Sequence, residues 1–318
     1  MCLVSVIVPA RDAAATLPRA LEHLVAQETA FDYEVLVVDD GSRDDTPLLV
    51  EAASAPVRLV RPGPRSAGAV GAAVARNRGV ADAKGSLLAF CDSDCYPTPG
   101  WLAAGARALE RAELVQGMVL PEPGVAIGPF DRSLWVIGES GLWETANLFV
   151  TRNLFEVVGG FQQCVRTPDA RPMGEDAWFG WRAKRHGARS AFSADALVHH
   201  AVFAQRPRDY VAELPRRRHF PELVRLMPEL RENFLYRRLF LDARTAAFDA
   251  ALASAAAAAL LHRAWPLAAA LPYGWMAARR ARPHGRAALG VAAVDLAADL
   301  TGAWALARGS VGARSVVL

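Results

Sequence analysis

The sequence predicts an α/β protein with a mixed, mainly parallel sheet that is covered by helices. Short, mainly apolar runs such as Leu3–Val8 and Tyr33–Val38 alternate with amphipathic segments such as Ala14–Gln27. Apolar runs of this length are typical of parallel strands buried on both faces, and their alternation with helices indicates β-α-β units. A chain of 318 residues with 53% hydrophobic residues can bury such a core and still carry a further region.

The order of the elements follows from local signals along the chain. Ser42 is the expected N-cap of the helix after the second strand, and Pro99 stands at the start of a later helix. Pro121–Trp143 is rich in Gly and Pro and lacks periodicity, which predicts an irregular insertion. The other predictions, in chain order, are a helix at Asp44–Ala53, a strand at Val57–Arg61, a helix at Gly68–Ala81, a strand at Ser86–Cys91, a helix at Pro99–Glu110, a strand at Leu114–Val119, an ordered segment at Ala146–Val150, a helix ending at Val158, a helix at Glu175–His186 and a short strand at Ala196–His200.

The C-terminal third differs in composition from the rest of the chain. Arg206–Arg244 is Arg-rich and interrupted by prolines, which predicts short helices, and the remainder is largely apolar. Asp295 and Asp299 would be costly in the middle of a bilayer. Three interpretations remain open: interfacial or hairpin-inserted helices, spanning helices, and Ala-rich soluble helices or an oligomer interface. We expect a folded α/β domain over residues 1–225 and a helical, membrane-associating region over residues 226–318.

Charge is unevenly distributed along the chain. Residues 206–318 contain 17 basic and 9 acidic residues, a net charge of +8, whereas residues 1–205 carry −5. The basic segments adjoin apolar stretches, which favours a membrane surface over nucleic acid as the partner. The four cysteines, Cys2, Cys91, Cys95 and Cys164, are expected to be reduced thiols, and no secretory signal is expected at the N-terminus. These features predict a location at the cytoplasmic face of a membrane.

Carboxylates stand at the ends of two predicted strands. Asp39 and Asp40 follow one apolar run, and Asp92 and Asp94 follow another. Ligands of open α/β sheets bind beyond the carboxyl ends of the strands, so these acids are placed to meet a ligand. Hard oxygen donors suit Mg²⁺ or Mn²⁺ carried on a diphosphate. A further acidic pair, Glu175–Asp176, follows Gly174 at a predicted helix start.

Six motifs in sequence order resemble family 2 glycosyltransferases of the GT-A fold, the Rossmann-like fold of nucleotide-diphospho-sugar transferases. Each motif is weak by itself, and the specificity comes from the set and its order. The resemblance covers about residues 3–225. The motifs are Val4–Arg11, Val37–Ser42, Ala75–Gly79, Phe90–Asp94, Gly159–Phe161 and Gly174–Asp176.

The resemblance implies a binding site for a nucleotide-sugar donor and a divalent metal, Mn²⁺ or Mg²⁺. Asp40 would accept a hydrogen bond from the base, as suits the ring N–H of uracil, and Arg76 would lie near the nucleotide or its phosphates. Pro9, Ala10 and Arg11 would line the pocket, Asp92 would contact the ribose or support the metal shell, and Asp94 would meet the metal. The family's further metal ligand is often a His after the final strand, where this chain offers His199 and His200, of which we prefer His200.

The resemblance also implies the chemistry. Asp176 would be the general base of a single in-line displacement with inversion, and Glu175 would orient acceptor or donor hydroxyls. Trp178 and Trp181, one helical turn apart, would either stack on a sugar or pack in the core. The Gln-x-x-Arg-Trp motif of processive synthases is missing, so transfer of one sugar is expected. Cys95 stands where many relatives have a further Asp.

The expected function is therefore transfer of one sugar from a nucleotide-diphosphate sugar, with UDP as the expected nucleotide, to a lipid-linked or glycan acceptor. The insertion at Pro121–Trp143 is a candidate for acceptor binding or a lid. The alternatives are a membrane-tethered sugar-nucleotide or glycan-binding scaffold and a nucleotidyltransferase, which would leave Glu175–Asp176 without a role. A nicotinamide dehydrogenase is disfavoured because the first β-α turn lacks Gly-x-Gly-x-x-Gly.

Structural roles are the alternatives for the same residues. Asp40 and Ser42 could cap the next helix, and Glu175–Asp176 could serve as favourable charge in the first turn of a helix. His199 and His200 could be ordinary sheet residues.

Overall fold

The computed structural model describes residues 4–61, 71–165, 167 and 173–318. Leu3, Cys2 and residues 68–70 of the predicted third helix lie outside these ranges. Within the described residues one eight-stranded sheet forms, with strands β1 Val4–Ala10, β2 Tyr33–Asp39, β3 Val57–Val60, β4 Leu87–Cys91, β5 Cys95–Pro97, β6 Leu114–Pro121, β7 Asn147–Thr151 and β8 Ser190–His200.

The strand order in the sheet is β3-β2-β1-β4-β7-β6-β8-β5. β1 pairs in parallel with β2 and β4, β2 pairs in parallel with β3, and β6 pairs in parallel with β8. The pairs that involve β7 and β5 are antiparallel. This arrangement confirms the predicted mixed, mainly parallel sheet. It also brings the carboxyl ends of β1, β2 and β4 to one edge.

Helices cover the sheet. They are α1 Leu17–Val25, α2 Thr46–Glu51, α3 Ala72–Asp82, α4 Trp101–Leu109, α5 Arg152–Val158 and α6 Glu175–Arg185. Alternate residues of β1 enter two different apolar clusters: Val6 and Val8 pack into one and Ile7 packs into the other. The strand is therefore buried on both faces, which explains its mainly apolar sequence, and its one polar side chain, Ser5, donates a hydrogen bond to Glu34 Oε1 at 2.7 Å.

Some local predictions need correction. Ser42 does not cap the next helix, because α2 begins at Thr46 and its N-cap residue is Asp45. β5 is a three-residue strand that was not predicted; it is too short to show a period. β8 is longer than predicted because it begins at Ser190. The predicted irregular insertion is largely irregular, with isolated bridges that pair Val136 with Val119 and Arg132 with Phe203.

The chain divides into two compact units. The first comprises residues 1–127 and 132–203, and the second comprises residues 128–131 and 204–318. The predicted boundary at residue 225 lies inside the second unit. The second unit is helical, with α7 Pro207–Glu213, α8 Phe220–Leu226, α9 Leu230–Asn233, α10 Ala243–Leu261, α11 Leu271–Ala281 and α12 Ala288–Ala313, and with 3₁₀ segments at Leu214–His219, Trp265–Ala270 and Arg282–Ala287.

Two helical stretches of this unit are long and apolar enough to cross a membrane. They are Ala243–Leu261, with a mean hydropathy of 1.3, and Trp265–Ala313, with 1.4. The second stretch is kinked, since Gly285 departs from helical geometry. Length and composition alone are weak evidence of membrane insertion, because core helices of soluble proteins have the same properties.

Candidate active site

A pocket of about 260 Å³ opens in the first unit, beyond the carboxyl ends of β1, β2 and β4. All six residues predicted to bind the nucleotide line it, together with Asp94. The lining residues are Pro9, Ala10, Arg11, Asp40, Ala72, Arg76, Asp92, Ser93 and Asp94. Residues from four separate motifs thus converge on one cavity.

The loops after β1 and β2 hold each other in place at the mouth of this pocket. Asp12 has a left-handed backbone, with φ at 47°, a conformation that Asp tolerates better than most residues. Its Oδ1 accepts a hydrogen bond from the Arg43 N–H at 2.7 Å, and its own N–H donates to Ser42 Oγ at 3.0 Å. Ser42 therefore fixes the loop that carries Arg11 instead of capping α2.

Asp40 is buried at the base of the pocket. Its N–H donates to the Ala10 carbonyl at 2.8 Å, and its Oδ2 accepts a hydrogen bond from the Gly71 N–H at 3.0 Å. Gly71 is the N-cap residue of α3. Asp40 thus connects the end of β1, through its backbone, with the start of α3, through its carboxylate. It also lines the pocket.

Arg76 links the two acidic regions of the first unit. It projects from α3, is only 5% exposed, and its Nη2 donates to Asp92 Oδ1 at 2.7 Å. Burial lowers the pKa of Arg76, but the carboxylates of Asp92, Asp176 and Glu175 outweigh burial and raise it. Its Nε has no hydrogen-bond partner among the described residues. A buried cation with an unused donor beside the pocket suits an anionic ligand.

Asp94 and His200 meet across the β5–β8 pair. Cys95 is directly opposite His200 in that ladder, so Asp94, one residue earlier, faces the same end of β8. His200 Nε2 lies 3.7 Å from Asp94 Oδ2. Burial and repulsion by Asp92 raise the pKa of Asp94. Crowded carboxylates beside an imidazole form a donor set that a divalent cation would stabilise.

The tautomer of His200 follows from its other contact. Its Nδ1 lies 2.7 Å from the Ala201 carbonyl oxygen, and a carbonyl oxygen can only accept, so Nδ1 carries the proton. In neutral imidazole Nε2 then presents its lone pair toward Asp94, as in metal-binding histidines held by a backbone carbonyl. His199 has other neighbours: burial and His23 lower its pKa. The structure therefore places His200, and not His199, beside Asp94.

Cys95 lies next to this group. Asp94, Cys95 and His200 each offer a ligand atom, and these atoms lie within 4.8 Å of one another. However, the Cys95 side chain is fully buried in an apolar cluster, and burial and the neighbouring Cys91 raise the pKa of its thiol well above the usual value. The thiol is neutral in this environment, so Asp94 and His200 are the better donors for a hard cation.

Glu175 and Asp176 occupy the first turn of α6. Thr145 contacts Asp176 Oδ2 through its N–H at 3.5 Å and its Oγ1 at 3.4 Å. Burial and the adjacent charge of Glu175 raise the pKa of Asp176 to about 7, while Arg76 opposes this rise. The helix dipole also stabilises the two negative charges at this helix start. A structural role in the first turn is therefore compatible with a role in catalysis. A carboxylate with a pKa near neutrality suits proton transfer.

Sequence reasoning missed Glu144 and Thr145. Burial raises the pKa of Glu144, and its charge contributes to the raised pKa of Asp176. Its Oε2 has no hydrogen-bond partner among the described residues. The only sequence signal is that two polar residues stand between Trp143 and Ala146, where periodicity is missing. Neither residue belongs to a predicted strand or helix.

The two tryptophans of α6 differ. Trp181 is buried, and its Nε1 donates to the Gly141 carbonyl at 2.9 Å, so it packs in the core. Trp178 is half-buried and lies under the guanidinium groups of Arg182 and Arg185, at 5.8 and 5.5 Å. Together they do not form a sugar-stacking face.

Two of the six motifs, Ala75–Gly79 and Gly159–Phe161, are joined by hydrogen bonds. The Asn77 side chain donates to the Phe161 carbonyl at 2.8 Å and accepts from the Phe161 N–H at 2.9 Å. Gly160 has φ at 64°, and a Cβ there would lie 2.8 Å from the Asn77 side chain. The glycine turn therefore anchors the helix that carries Arg76.

Comparisons with known proteins show what the chain is similar to in sequence and in fold. The model of the family described as "Glycosyl transferase family 2" matches residues 5–162. Glycosyltransferase AglE of Haloferax volcanii is 30% identical over 211 residues, which cover 62% of this chain and 66% of the relative, just under two thirds of its length.

Two solved structures share the fold. Mannosyltransferase PcManGT from Pyrobaculum calidifontis, in complex with GDP-Man and Mn²⁺, has a TM-score of 0.61 at 23% identity over 95% of this chain and 87% of that chain. S. aureus TarS 1-349, in complex with UDP-GlcNAc, has a TM-score of 0.50 at 19% identity over 67% of this chain and 64% of that chain. The fold is that of the GT-A glycosyltransferases, and residues 5–162 form a domain of glycosyltransferase family 2.

Proposed function

We propose that this protein is a metal-dependent, inverting glycosyltransferase that moves one sugar from a UDP-linked donor to a lipid-linked or glycan acceptor. The observation that carries the proposal is the position of Arg76. It is paired with Asp92 in the pocket lining and lies within the electrostatic reach of Asp176 and Glu175. Donor pocket and candidate base therefore adjoin, as sugar transfer requires.

The pocket supports a nucleoside diphosphate sugar as donor. Asp40 offers a carboxylate for a ring N–H of the base, and Arg11 and Arg76 offer cationic groups for phosphates. The two fold neighbours were solved with UDP-GlcNAc and GDP-Man, which are both of this chemical class. We assign uracil because one carboxylate suits its single ring N–H.

Asp94 and His200 fit a divalent cation. The supporting observation is the 3.7 Å approach of their donor atoms, with the His200 lone pair held toward Asp94 by the Ala201 carbonyl. When bound, Mn²⁺ or Mg²⁺ supplies positive charge for the departing diphosphate. Asp92 keeps Arg76 in place beside the same region.

Asp176 removes the proton of the acceptor hydroxyl. As the hydroxyl oxygen bonds to the anomeric carbon, the bond from that carbon to the phosphate oxygen breaks and the nucleoside diphosphate departs. One displacement inverts the configuration at this carbon. Thr145 orients the Asp176 carboxylate, and Glu175 is placed to hold a sugar hydroxyl. We further propose that transfer takes place at the cytoplasmic face of a membrane.

The test is release of nucleoside diphosphate from UDP-, GDP- and TDP-sugars with Mn²⁺ or Mg²⁺. We expect one UDP-sugar to be hydrolysed slowly and Asp94→Ala to abolish this hydrolysis. Asp176→Asn should bind the same donor but lose transfer to the acceptor. Asp195→Asn, which changes an exposed acid on β8, is the matched control and should match the parent.

Two outcomes would contradict the proposal. If no variant binds any nucleotide sugar, the pocket has another ligand. If Asp176→Asn transfers sugar as fast as the parent to an accepted acceptor, the base is a different residue. Binding without turnover by the parent, in the presence of acceptors from both classes, would favour the scaffold alternative.

A further inference from the structure

The polarity of the C-terminal helices is inverted relative to that of a soluble bundle. Leu260, Leu271 and Trp265 are 80%, 70% and 73% exposed, whereas Asp295 is 2% exposed. A helix in water buries its apolar stripe and exposes its charges. Exposed leucines together with a buried acid in the same set of helices indicate that the surroundings of these helices are apolar.

α10 and the segment that follows it form a hairpin. α10 ends at Leu261, and His262 turns the chain with a left-handed backbone. Phe248, in the first half of α10, then contacts Tyr273 of α11 with ring centroids 5.1 Å apart. Residues 265–281 therefore run back along α10. We call residues 260–271 the hairpin tip.

Charged groups hold the opposite end of the hairpin together. Arg244 of α10 pairs with Asp299 of α12 at 2.7 Å, and Arg280 of α11 pairs with Asp295 of α12 at 2.8 Å. The Tyr273 hydroxyl also donates to Asp299 at 2.8 Å. We call these five residues the base cluster. Asp295 and Asp299 are therefore both paired with arginines, so these two acids of α12 do not prevent contact of the hairpin with a bilayer.

The soluble interpretation of these helices conflicts with their exposure. A core helix of a soluble protein passes the same test of length and hydropathy, but it is mostly buried. Here only 17% of the apolar window in Ala243–Leu261 and 33% of that in Trp265–Ala313 is buried within the described residues. The apolar side chains of the hairpin tip thus lack the cover that a water-soluble fold would give them.

We propose that the hairpin formed by α10, residues 265–270 and α11 inserts its tip into the hydrocarbon of a lipid bilayer, with the base cluster at the headgroup level. α10 has 19 residues. At 1.5 Å per residue it is about 28 Å long, close to the roughly 30 Å of bilayer hydrocarbon.

Charge and aromatic side chains identify lipid as the occupant. Exposed Arg279, at the base end of α11, and exposed Arg282 and Arg286, in the 3₁₀ segment that follows, complement anionic headgroups. Arg279 covers the exposed Trp275 ring at 5.4 Å, and Arg308 covers Trp304 at 5.5 Å. Arginine beside tryptophan is typical of the interface between headgroups and hydrocarbon. A protein partner would need no such basic and aromatic border.

The test is flotation of the full-length protein with vesicles of phosphatidylcholine and phosphatidylglycerol, followed by a wash in 1 M salt. We expect the parent to stay with the vesicles after the wash. Leu260→Glu/Leu271→Glu places two charges at the tip and should reduce the bound fraction at least tenfold. Leu48→Glu/Val157→Glu is the matched control, since both residues are 59% exposed and lie in the first unit. It should float like the parent.

A second measurement needs no variant. Lipids brominated deep in the acyl chains should quench part of the tryptophan fluorescence of the parent, and Trp265→Phe should remove a share of that quenching. Release of the parent by 1 M salt, absence of deep quenching, or equal flotation of the tip variant and the parent would each overturn the proposal. A stable oligomer that needs neither vesicles nor detergent would overturn it as well, by assigning the tip to a second copy.

The inserted hairpin would attach the proposed transferase to a membrane, where lipid-linked acceptors are located. The inference rests on the proposed function only in assigning this purpose to the hairpin. Nucleoside diphosphate release is measured on the same samples. Loss of flotation with retained release, or retained flotation without release, separates failure of this inference from failure of the proposed function.

Discussion

The environment of Asp176 determines what its carboxylate can do. Burial and Glu175 raise its pKa to about 7, and Arg76 limits the rise. Asp92, in contrast, pairs directly with Arg76 and lines the pocket. Two acids of the same type thus receive different roles from different neighbours: one is suited to take a proton and the other to hold a cationic side chain.

The pH dependence of transfer tests this assignment. The base must be deprotonated, so the rate should rise with pH and level off above an apparent pKa of about 7. Asp176→Asn should lower kcat by about 10²- to 10⁴-fold and remove the acidic limb. The measurement is kcat for transfer between pH 5 and 9 at saturating donor. A parent profile that is flat below pH 7 would contradict the role of Asp176.

Adjacent histidines provide a matched comparison for the metal. His200→Ala should weaken Mn²⁺ binding by about 10- to 100-fold, since it removes a nitrogen donor beside Asp94. His199→Ala removes the same side chain from the next position, away from Asp94, and should leave Mn²⁺ binding unchanged. Titration of the free protein with Mn²⁺, followed by electron paramagnetic resonance, measures both. Equal effects of the two substitutions would rule out the assignment of His200.

Contacts between elements decide whether these residues meet. Trp143 packs against Gly180 of α6, where a Cβ would lie 2.0 Å from the indole ring. This close approach brings the segment that carries Glu144 and Thr145 onto the start of α6. No pattern in the sequence predicts it, because the segment is irregular and its partner is more than 30 residues away.

Gly180→Ala should therefore disturb catalysis more than donor binding. The added methyl group displaces a buried ring, and overpacking of this kind costs about 1–3 kcal/mol of unfolding free energy. Thr145 then loses its position beside Asp176, so kcat should fall while KM for the donor changes little. Gly100→Ala, where a Cβ would meet nothing within 4 Å, is the control. Thermal unfolding and steady-state kinetics check both effects, and a fall in donor affinity alone would contradict the explanation.

The charge of the whole chain is divided between its ends. Residues 1–205 carry −5 and residues 206–318 carry +8. This division places the excess of basic residues in the region that also contains the exposed apolar helices. Long-range attraction affects how fast the protein reaches a membrane, whereas apolar contact determines whether it stays.

Association with vesicles should therefore show two components. We expect faster association with vesicles that contain phosphatidylglycerol than with pure phosphatidylcholine at low salt, and nearly equal rates at about 0.5 M salt, because the Debye length shrinks. Stopped-flow energy transfer from tryptophan to a dansyl lipid measures the rate. A rate that is independent of salt would contradict electrostatic recruitment.

The sequence by itself determined the α/β class, the resemblance to family 2 and seven of the residues that line the pocket of the first unit. Mainly apolar strands form the sheet, and polar residues at strand ends have no role in the core, so both leave a local signal. The short strand β5 and the meeting of Thr145 with Asp176 leave no such signal.

Only the tertiary structure decided those contacts and the pairing of Asp295 and Asp299 with arginines on other helices. The physical reason is that a pKa, an ion pair or a tautomer depends on neighbours in space, which close packing brings from distant parts of the chain. Sequence periodicity shows which side of an element faces inward, but it does not show which residue of another element that side contacts.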